Sequence, residues 1–102
     1  MTVKDIIERI SRIRTRANLS ARALSLEIDK NASYVHLLES QGKGFEPSLS
    51  TLLEIIRVCG STPEEFFYPD LEQYKLDMEV LTFLKTLSPY QKEAILNLYR
   101  KS

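Results

Sequence analysis

The sequence is poor in several residue types on which common protein functions depend. Its 102 residues include one cysteine (Cys59), one histidine (His36), three glycines and no tryptophan. A lone cysteine cannot form an internal disulfide, which is typical of a reducing compartment. One cysteine and one distant histidine fall short of the four ligands of a structural zinc site. We therefore expect neither a bound metal nor another cofactor.

Long apolar runs are also missing. No stretch of about 18 apolar residues occurs, so we expect no membrane-spanning segment. The N-terminal MTVKDIIERI carries charges in its first turns, unlike a secretory signal peptide. With 43% hydrophobic and 27% charged residues, the chain has the composition and length of one soluble globular domain. These features predict a cytoplasmic protein without a membrane partner.

The net charge is zero, but the charged residues are unevenly distributed along the chain. Residues 1–45 hold eight Lys or Arg against five acids, and residues 46–102 hold six against nine. A basic part joined to an acidic part suggests two roles in one chain. The sequence contains no nucleophile beside a base and no phosphate-cradling glycine loop, and Glu64-Glu65 fits helix capping better than a catalytic pair. We therefore expect no enzymatic activity.

The apolar residues that are present recur at helical spacing, which predicts an all-α fold. Thr2 and Asp5 form an approximate capping box for a first helix, which Asn18 ends. Arg9 and Arg12 lie on another face and are interpreted as solvated. The predicted buried stripe of this helix contains Val3, Ile6, Ile7, Ile10, Ile13 and Ala17.

Further helices are delimited by capping signals. Ser48 is a good N-cap for a fourth helix, and Gly60 stops that helix. Thr62-Pro63-Glu64-Glu65 begins a short fifth helix, with the last glutamate closing the box. The apolar side of the fourth helix is predicted to contain Leu49, Leu52, Leu53, Ile56 and Cys59.

Residues 19–40 meet the steric demands of a helix-turn-helix. The small Ser25 lies where the two helices would cross, and Asp29, four residues later, can adopt the positive φ that the turn requires. Leu24 and Ile28 would face apolar residues that return six and nine positions after the turn residue. Val35 and Leu38 occupy those positions. Ser20 is the predicted N-cap of the first helix of this pair.

These residues resemble the helix-turn-helix regulators of the Cro and phage-repressor (XRE) type. The resemblance covers residues 6–67 and implies a five-helix, repressor-like DNA-binding domain over residues 1–69. Ala21, Ser25 and Asp29 replace the glutamine, alanine and glycine common in the family. The matching residues are Leu19-Ser20, Leu24, Ser25, Ile28, Ser33-Tyr34-Val35, Leu38-Glu39, Pro47-Ser48-Leu49, Leu52, Ile55, Gly60, Thr62-Pro63 and Glu65-Phe66-Phe67.

The resemblance implies a sequence-specific transcriptional regulator, usually dimeric, and we expect a repressor that binds double-stranded operator DNA as a homodimer. The helix over residues 31–40 would enter the major groove, with Asn31, Ala32, Ser33, His36, Leu37 and Ser40 facing the bases. None of these is Arg, Lys or Gln, so bidentate arginine–guanine contacts are not available from this helix. Contacts to phosphates would come from the flanks, where the candidates are Arg14, Arg16, Ser20, Arg22, Lys30 and Lys43.

Residues 70–102 are predicted to form an αα-hairpin after the boundary Tyr68-Pro69-Asp70. Its first helix, residues 71–87, has two apolar sides, one of them with Leu76, Val80, Phe83, Leu84 and Leu87. Ser88-Pro89-Tyr90-Gln91 begins the second helix. The hairpin either caps the first domain or forms a homodimer interface. The interface candidates are Leu71, Tyr74, Met78, Leu81, Ile95, Leu98 and Tyr99.

An alternative function keeps the same fold without DNA reading. The uncharged groove-facing residues and the zero net charge are compatible with a protein-interaction module that antagonises or partners a related regulator. Tyr34, Leu37 and the C-terminal hairpin would then contact that regulatory protein.

Overall fold

The structure is a computed structural model that describes residues 1–40 and 45–101. Within these residues it is all-α, with seven helices and no strand. None of these helices combines the length and the apolar character needed to cross a membrane. The helices are α1 (Val3–Arg16), α2 (Ala21–Glu27), α3 (Tyr34–Ser40), α4 (Leu49–Val58), α5 (Pro63–Phe66), α6 (Leu71–Lys85) and α7 (Pro89–Lys101).

The chain divides into two compact units, Met1–Phe67 and Tyr68–Ser102. The sequence-based boundary followed residue 69, two residues later. The unit boundary precedes Tyr68 because this residue packs on α6. Its ring meets the Tyr74 ring edge to face with centroids 5.2 Å apart, and its hydroxyl donates a hydrogen bond to Asp77.

The helices of the first unit begin where the capping residues predict. The Thr2 hydroxyl accepts from the Asp5 amide, and the Asp5 carboxylate accepts from the Thr2 amide at 2.8 Å, which confirms the capping box. Ser20, Ser48 and Thr62 each accept a backbone N–H of the following first turn, so all three predicted N-caps are confirmed. Local polar side chains therefore fix where these helices start.

Three helices of the first unit end in the same Schellman arrangement. Asn18, Asp29 and Gly60 adopt positive φ angles of 58°, 57° and 73° just after α1, α2 and α4. In each case the amide of the next residue donates a hydrogen bond to a carbonyl in the last turn of the helix. The Lys30 amide, for example, donates to the Ser25 carbonyl at 2.9 Å. The predicted left-handed turn at Asp29 is confirmed. A carboxylate residue thus makes a turn that glycine usually makes.

The core lies entirely within the first unit. Its members come from every helix of that unit, and Phe66, Ile10, Val35, Leu38 and Ile55 are fully buried. Two predicted stripes need correction. Val3 is exposed in the first turn of α1, and α4 turns Ile55 rather than Leu49 and Leu53 toward the core. The buried residues are Ile10, Ile13, Leu24, Ile28, Val35, Leu38, Leu52, Ile55, Ile56, Cys59 and Phe66.

Two details near helix starts also differ from the sequence-based expectation. The predicted helix over residues 31–40 begins only at Tyr34, because the Asn31 carboxamide oxygen accepts from both the amide and the hydroxyl of Ser33. These bonds hold residues 31–33 in a turn. Glu65 does not close a capping box with Thr62. Its carboxylate instead accepts from Ser61 at 2.9 Å and from Arg16.

The second unit consists of two helices joined by residues 86–88. Asp70 caps α6, and α6 ends at Lys85, two residues before the predicted end. Ser88 and Gln91 form the predicted capping box of α7, with bonds of 2.9 and 3.2 Å. Leu71 is the one buried residue among residues 68–101, and every residue of α7 is exposed. The second unit therefore has no core comparable to that of the first.

Candidate nucleic-acid interface

Ser25 connects α2 to α3 through its side chain and its backbone. It is completely buried, and its hydroxyl accepts from the Val35 amide at 2.9 Å while donating to the Ala21 carbonyl at 2.7 Å. Its carbonyl accepts from the Lys30 amide in the turn. The Val35 N–H belongs to the first turn of α3 and has no partner within its own helix. Ser25 is therefore more than a small residue at a crossing, because it fixes where α3 starts.

The side of α3 opposite the core is open to solvent. Val35 and Leu38 are buried beneath it, and Ala32 is half-buried at its edge. The other base-facing candidates are exposed: Asn31, Ser33, His36, Leu37 and Ser40. The helix-turn-helix pairing thus leaves the predicted residues accessible on one short surface, which we call the α3 surface (residues 31–33, 36, 37 and 40).

Several polar groups of the α3 surface already have hydrogen bonds. The Asn31 carboxamide oxygen holds the Ser33 turn, which leaves its amide nitrogen as the group able to donate outward. The Ser40 hydroxyl donates to the His36 carbonyl at 2.7 Å. The imidazole of His36 and the apolar side chain of Leu37 make no such bonds among the described residues. His36 and Leu37 are consequently the most available contact groups.

Two of the predicted phosphate-binding arginines are engaged inside the first unit. Arg14 forms a two-pronged bond with Glu39 at 2.8 and 3.0 Å and also donates to the Leu19 carbonyl at 2.9 Å. The side chains of Arg14 and Glu39 are each only 18% exposed. Arg16 forms an ion pair with Glu65. Burial raises the pKa of Glu65, but hydrogen bonds from Arg16 and Ser61 lower it more, so the pKa lies below its usual value.

Arg9 also has a structural role that its sequence position did not suggest. Its guanidinium donates to the carbonyl of Phe66 at 2.6 Å and is partly buried. The interpretation of Arg9 as a solvated residue is wrong, because this contact attaches α1 to the end of α5. Arg12, in contrast, is exposed as expected.

The remaining phosphate candidates lie closer to the α3 surface along the chain. Arg22 is exposed on α2, with no ion pair among the described residues, and the Ser20 hydroxyl caps that helix. The Lys30 ammonium lies 5.4 Å from the centroid of the Tyr34 ring, which in turn contacts Phe45. Burial raises the pKa of the Tyr34 phenol. Lys43 lies outside the described residues.

The predicted dimer residues differ greatly in accessibility. Leu71 is buried and Tyr74 and Met78 are half-buried within the single chain. Leu81 and Ile95 are moderately exposed, while Leu98 and Tyr99 are exposed by 73% and 80%. The opposite side of α6 is more open than the predicted one, because Leu76, Val80 and Phe83 are all exposed.

Sequence inspection missed the partners that organise this region. Glu39 was assigned no partner and Glu65 only a capping role, although each holds an arginine of α1 from far along the chain. Oppositely charged residues near helix ends are common in protein sequences, so their presence alone does not identify which residues pair. Burial raises the pKa of the Cys59 thiol, which lowers the fraction of thiolate at neutral pH. Over residues 1–40 and 45–101, no group of three His, Cys, Asp or Glu side chains is arranged to hold a metal ion.

Comparisons with known proteins give no assignment. No protein family, curated protein or solved structure was found to match this chain. Its function must therefore be argued from the surface described above.

Proposed function

We propose that the chain is a helix-turn-helix transcriptional regulator of the Cro and phage-repressor type, in which a five-helix domain binds operator DNA as a homodimer in the cytoplasm. One observation carries the proposal. The left-handed turn at Asp29 and the buried Ser25 hydroxyl hold α3 with its outer side open to solvent. A short exposed helix rigidly supported by a second helix is the geometry that the major groove admits.

Base contacts on this proposal come chiefly from His36 and Leu37. The imidazole can donate to or accept from a base edge, and Leu37 and Ala32 suit the thymine methyl group. Asn31 contributes only its amide donor, since its oxygen holds the Ser33 turn. The usual bidentate contact of asparagine to adenine needs that oxygen. A few contacts of modest strength make the affinity of one subunit low.

Phosphate contacts come mainly from Arg22 and Lys30. Both are exposed and precede α3 in the chain, whereas Arg14 and Arg16 are held by Glu39 and Glu65. Each phosphate neutralised adds about 0.9 to the slope of log affinity against log salt concentration. Two subunits related by a two-fold axis would present their α3 helices to half-sites about 34 Å apart.

The proposal is tested by selecting bound duplexes from a random-sequence pool. Fluorescence anisotropy then compares the selected duplex with a scrambled one over a salt series. We expect a preference for the selected duplex and a steep salt dependence. Replacing His36 and Leu37 together by alanine should remove about 1–3 kcal/mol of preference per lost base contact while keeping most of the salt slope.

A charge variant and its control complete the test. Arg22→Gln should weaken binding to both duplexes equally and lower the salt slope by about 1 per subunit. Lys92→Gln, an exposed cation of α7, should change neither quantity. If no duplex binds even at low salt, the chain does not read DNA and the proposal fails.

A second candidate function is supported by the engaged arginines. Because Glu39 and Glu65 hold Arg14 and Arg16, only Arg22 and Lys30 remain exposed among the described phosphate candidates, and the acids Glu27 and Asp29 lie near them in the sequence. This favours a protein-interaction module that partners or antagonises a related regulator. A 1:1 complex with such a regulator in the absence of any DNA binding would establish this second function instead. Neither candidate assigns catalysis to the chain.

A further inference from the structure

We infer that Ser33 makes Asn31 a reader of guanine instead of the adenine that asparagine usually contacts. The inference rests on the proposed function and names one base pair of its DNA target. The Asn31 carboxamide oxygen accepts from the Ser33 amide at 2.9 Å and from the Ser33 hydroxyl at 2.7 Å. A carboxamide oxygen has two acceptor positions, so both are taken. Ser33 is thus a positioning residue that acts through Asn31.

The orientation of the Asn31 carboxamide follows from the groups around it. The Ser33 backbone N–H can only donate, so the carboxamide atom that lies 2.9 Å from it is the oxygen and not the nitrogen. The Asn31 backbone carbonyl accepts from the Tyr34 amide at 2.9 Å, which closes the turn before α3. Asn31 is exposed, and its side-chain nitrogen has no hydrogen bond among residues 1–40 and 45–101. Only the N–H donors of this side chain are therefore open to a base.

A group that can only donate distinguishes the four bases in the major groove. Guanine presents two adjacent acceptors there, N7 and O6, and both can receive the Asn31 donors. Adenine presents N7 beside its N6 amino group, which is a donor and would face the Asn31 N–H groups without an acceptor. Thymine offers one acceptor, O4, and cytosine offers only a donor. Asn31 should therefore favour guanine most and cytosine least.

The other polar groups of the α3 surface do not share this preference. The hydroxyls of Ser33 and Ser40 donate their single protons to Asn31 and to the His36 carbonyl, so toward a base each can only accept. The His36 imidazole can donate or accept, and the two remaining residues of the surface are apolar. A guanine preference that depends on Asn31 is consequently a signature of its donor-only state.

The first experiment locates the base pair that Asn31 contacts. The full chain and its Asn31→Ala variant are compared by anisotropy competition on a duplex selected from a random pool, with one base pair replaced at a time. The pair at which the variant loses discrimination is the Asn31 contact. We expect a G·C pair there, preferred over A·T by roughly 5–10-fold. A 7-deazaguanine at this pair lacks N7 and should weaken binding, whereas inosine keeps N7 and O6 and should not.

Two further variants separate base reading from a role of Asn31 in the turn alone. Asn31→Asp keeps an acceptor for Ser33 but has no N–H donor, so the preference at the mapped pair should move from guanine to cytosine, whose N4 amino group donates. A residue that only holds the turn would weaken binding to every duplex equally. Ser33→Ala frees one acceptor position of the Asn31 oxygen. The preference for guanine over adenine should then fall about 2–10-fold, the value of one neutral hydrogen bond.

Ser40→Ala is the matched control for Ser33→Ala. It removes a hydroxyl from the same surface, but that hydroxyl donates to the His36 carbonyl and not to Asn31. The preference at the mapped pair should therefore stay unchanged. If Ser40→Ala and Ser33→Ala lower this preference equally, Ser33 has no special effect on Asn31 and the inference fails.

Amide hydrogen exchange on the free chain tests the Ser33 hydrogen bond without DNA. The Ser33 amide proton should exchange more slowly in the native chain than in Asn31→Ala, because the carboxamide oxygen accepts from it. Equal exchange rates would mean that this oxygen is free, and they would overturn the inference whatever the chain binds.

The outcomes separate this inference from the proposed function. The inference alone is overturned if the chain binds a selected duplex but prefers A·T at the Asn31 pair, or if no base preference depends on Asn31. It is also overturned if the guanine preference survives Asn31→Asp. DNA reading remains in place in each of these cases. A chain that binds no duplex at any salt concentration overturns both.

Discussion

The two units of this chain contain similar helices but differ in what holds those helices. In Met1–Phe67, five helices surround eleven core residues and are further connected by Ser25, Arg9 and Arg14. In residues 68–101, two helices of 15 and 13 residues carry more exposed large apolar side chains and only one buried residue. The length and capping of a helix therefore do not indicate how stable it is, because most helical stability in proteins comes from packing of an apolar face.

The largest expected difference comes from removing one phenylalanine ring from each unit. Phe66 is 0% exposed and Phe83 is 59% exposed. Phe66→Ala should lower the free energy of unfolding by about 3–5 kcal/mol, because it leaves a cavity in the core. Phe83→Ala should leave the urea midpoint almost unchanged, because removing an exposed ring leaves no buried cavity. Equal losses in dilute urea titrations would mean that the second unit has a core of its own.

Ion pairs provide the next comparison. Arg14 and Glu39 are largely buried and share two hydrogen bonds, so Arg14→Gln should cost about 2–3 kcal/mol by leaving the Glu39 carboxylate without its partner. Arg57 and Glu54 form an exposed pair within α4, and Arg57→Gln should leave the unfolding midpoint unchanged. A double-mutant cycle on Arg14 and Glu39 measures the coupling directly. Additive losses in that cycle would contradict the pairing.

The ends of helices differ between the units in a smaller but measurable way. Gly60 ends α4 at φ 73° with no atom near its missing Cβ, so Gly60→Ala should cost about 1–2 kcal/mol from backbone strain alone. Thr86 ends α6 in a right-handed conformation, and Thr86→Ala at that position needs no such strain. Thermal unfolding of the two variants should show a lower midpoint for Gly60→Ala only. Asp29→Gly is the converse test, since glycine relieves the positive φ there.

The smallest expected effects are opposite responses to pH. The pKa of Glu65 lies below its ordinary 4.5, so its contribution to stability is present above pH 4.5 and is lost as pH falls through the lowered pKa. The hydrogen bond to Asp77 raises the pKa of Tyr68 above its ordinary 10. That contribution is present below pH 10 and is lost as pH rises through the raised pKa.

Two variants separate these responses. Glu65→Gln should flatten the fall in stability on acidification, and Tyr68→Phe should flatten the fall in alkali. Urea unfolding at pH 3–5 and at pH 9–11 measures both. Asp5 and Glu54 also have lowered pKa values, so only part of the acid response should disappear in Glu65→Gln. An unchanged acid profile in that variant would contradict the role of Glu65.

Local features of this fold could be predicted from the sequence, whereas most long-range ones could not. The caps at Thr2, Ser20 and Ser88 and the positive φ at Asp29 depend on neighbouring residues alone. The side of α4 that is buried depends on the rest of the fold, since Leu53 and Ile55 fit adjacent stripes equally well. Periodicity cannot choose between two such stripes.

The α3 surface shows the same division. Its residues could be identified from the turn at Asp29, because helix geometry fixes which positions face away from Val35 and Leu38. The sequence could not show that Arg14 and Arg16 are engaged within the first unit, because their partners lie 25 and 49 residues away in the chain. Nor does the sequence show that the Asn31 oxygen would be occupied by Ser33.

The position of Ser25 has a consequence for how this molecule can diverge. Its hydroxyl and carbonyl hold α3 and the turn from beneath, while no side-chain hydrogen bond of His36, Leu37 or Ser40 reaches another element in the described residues. The residues that would choose a target are thus separate from those that maintain the fold. Substitutions at these three positions can therefore accumulate without refolding the scaffold, and under the proposed function such substitutions would change the DNA target.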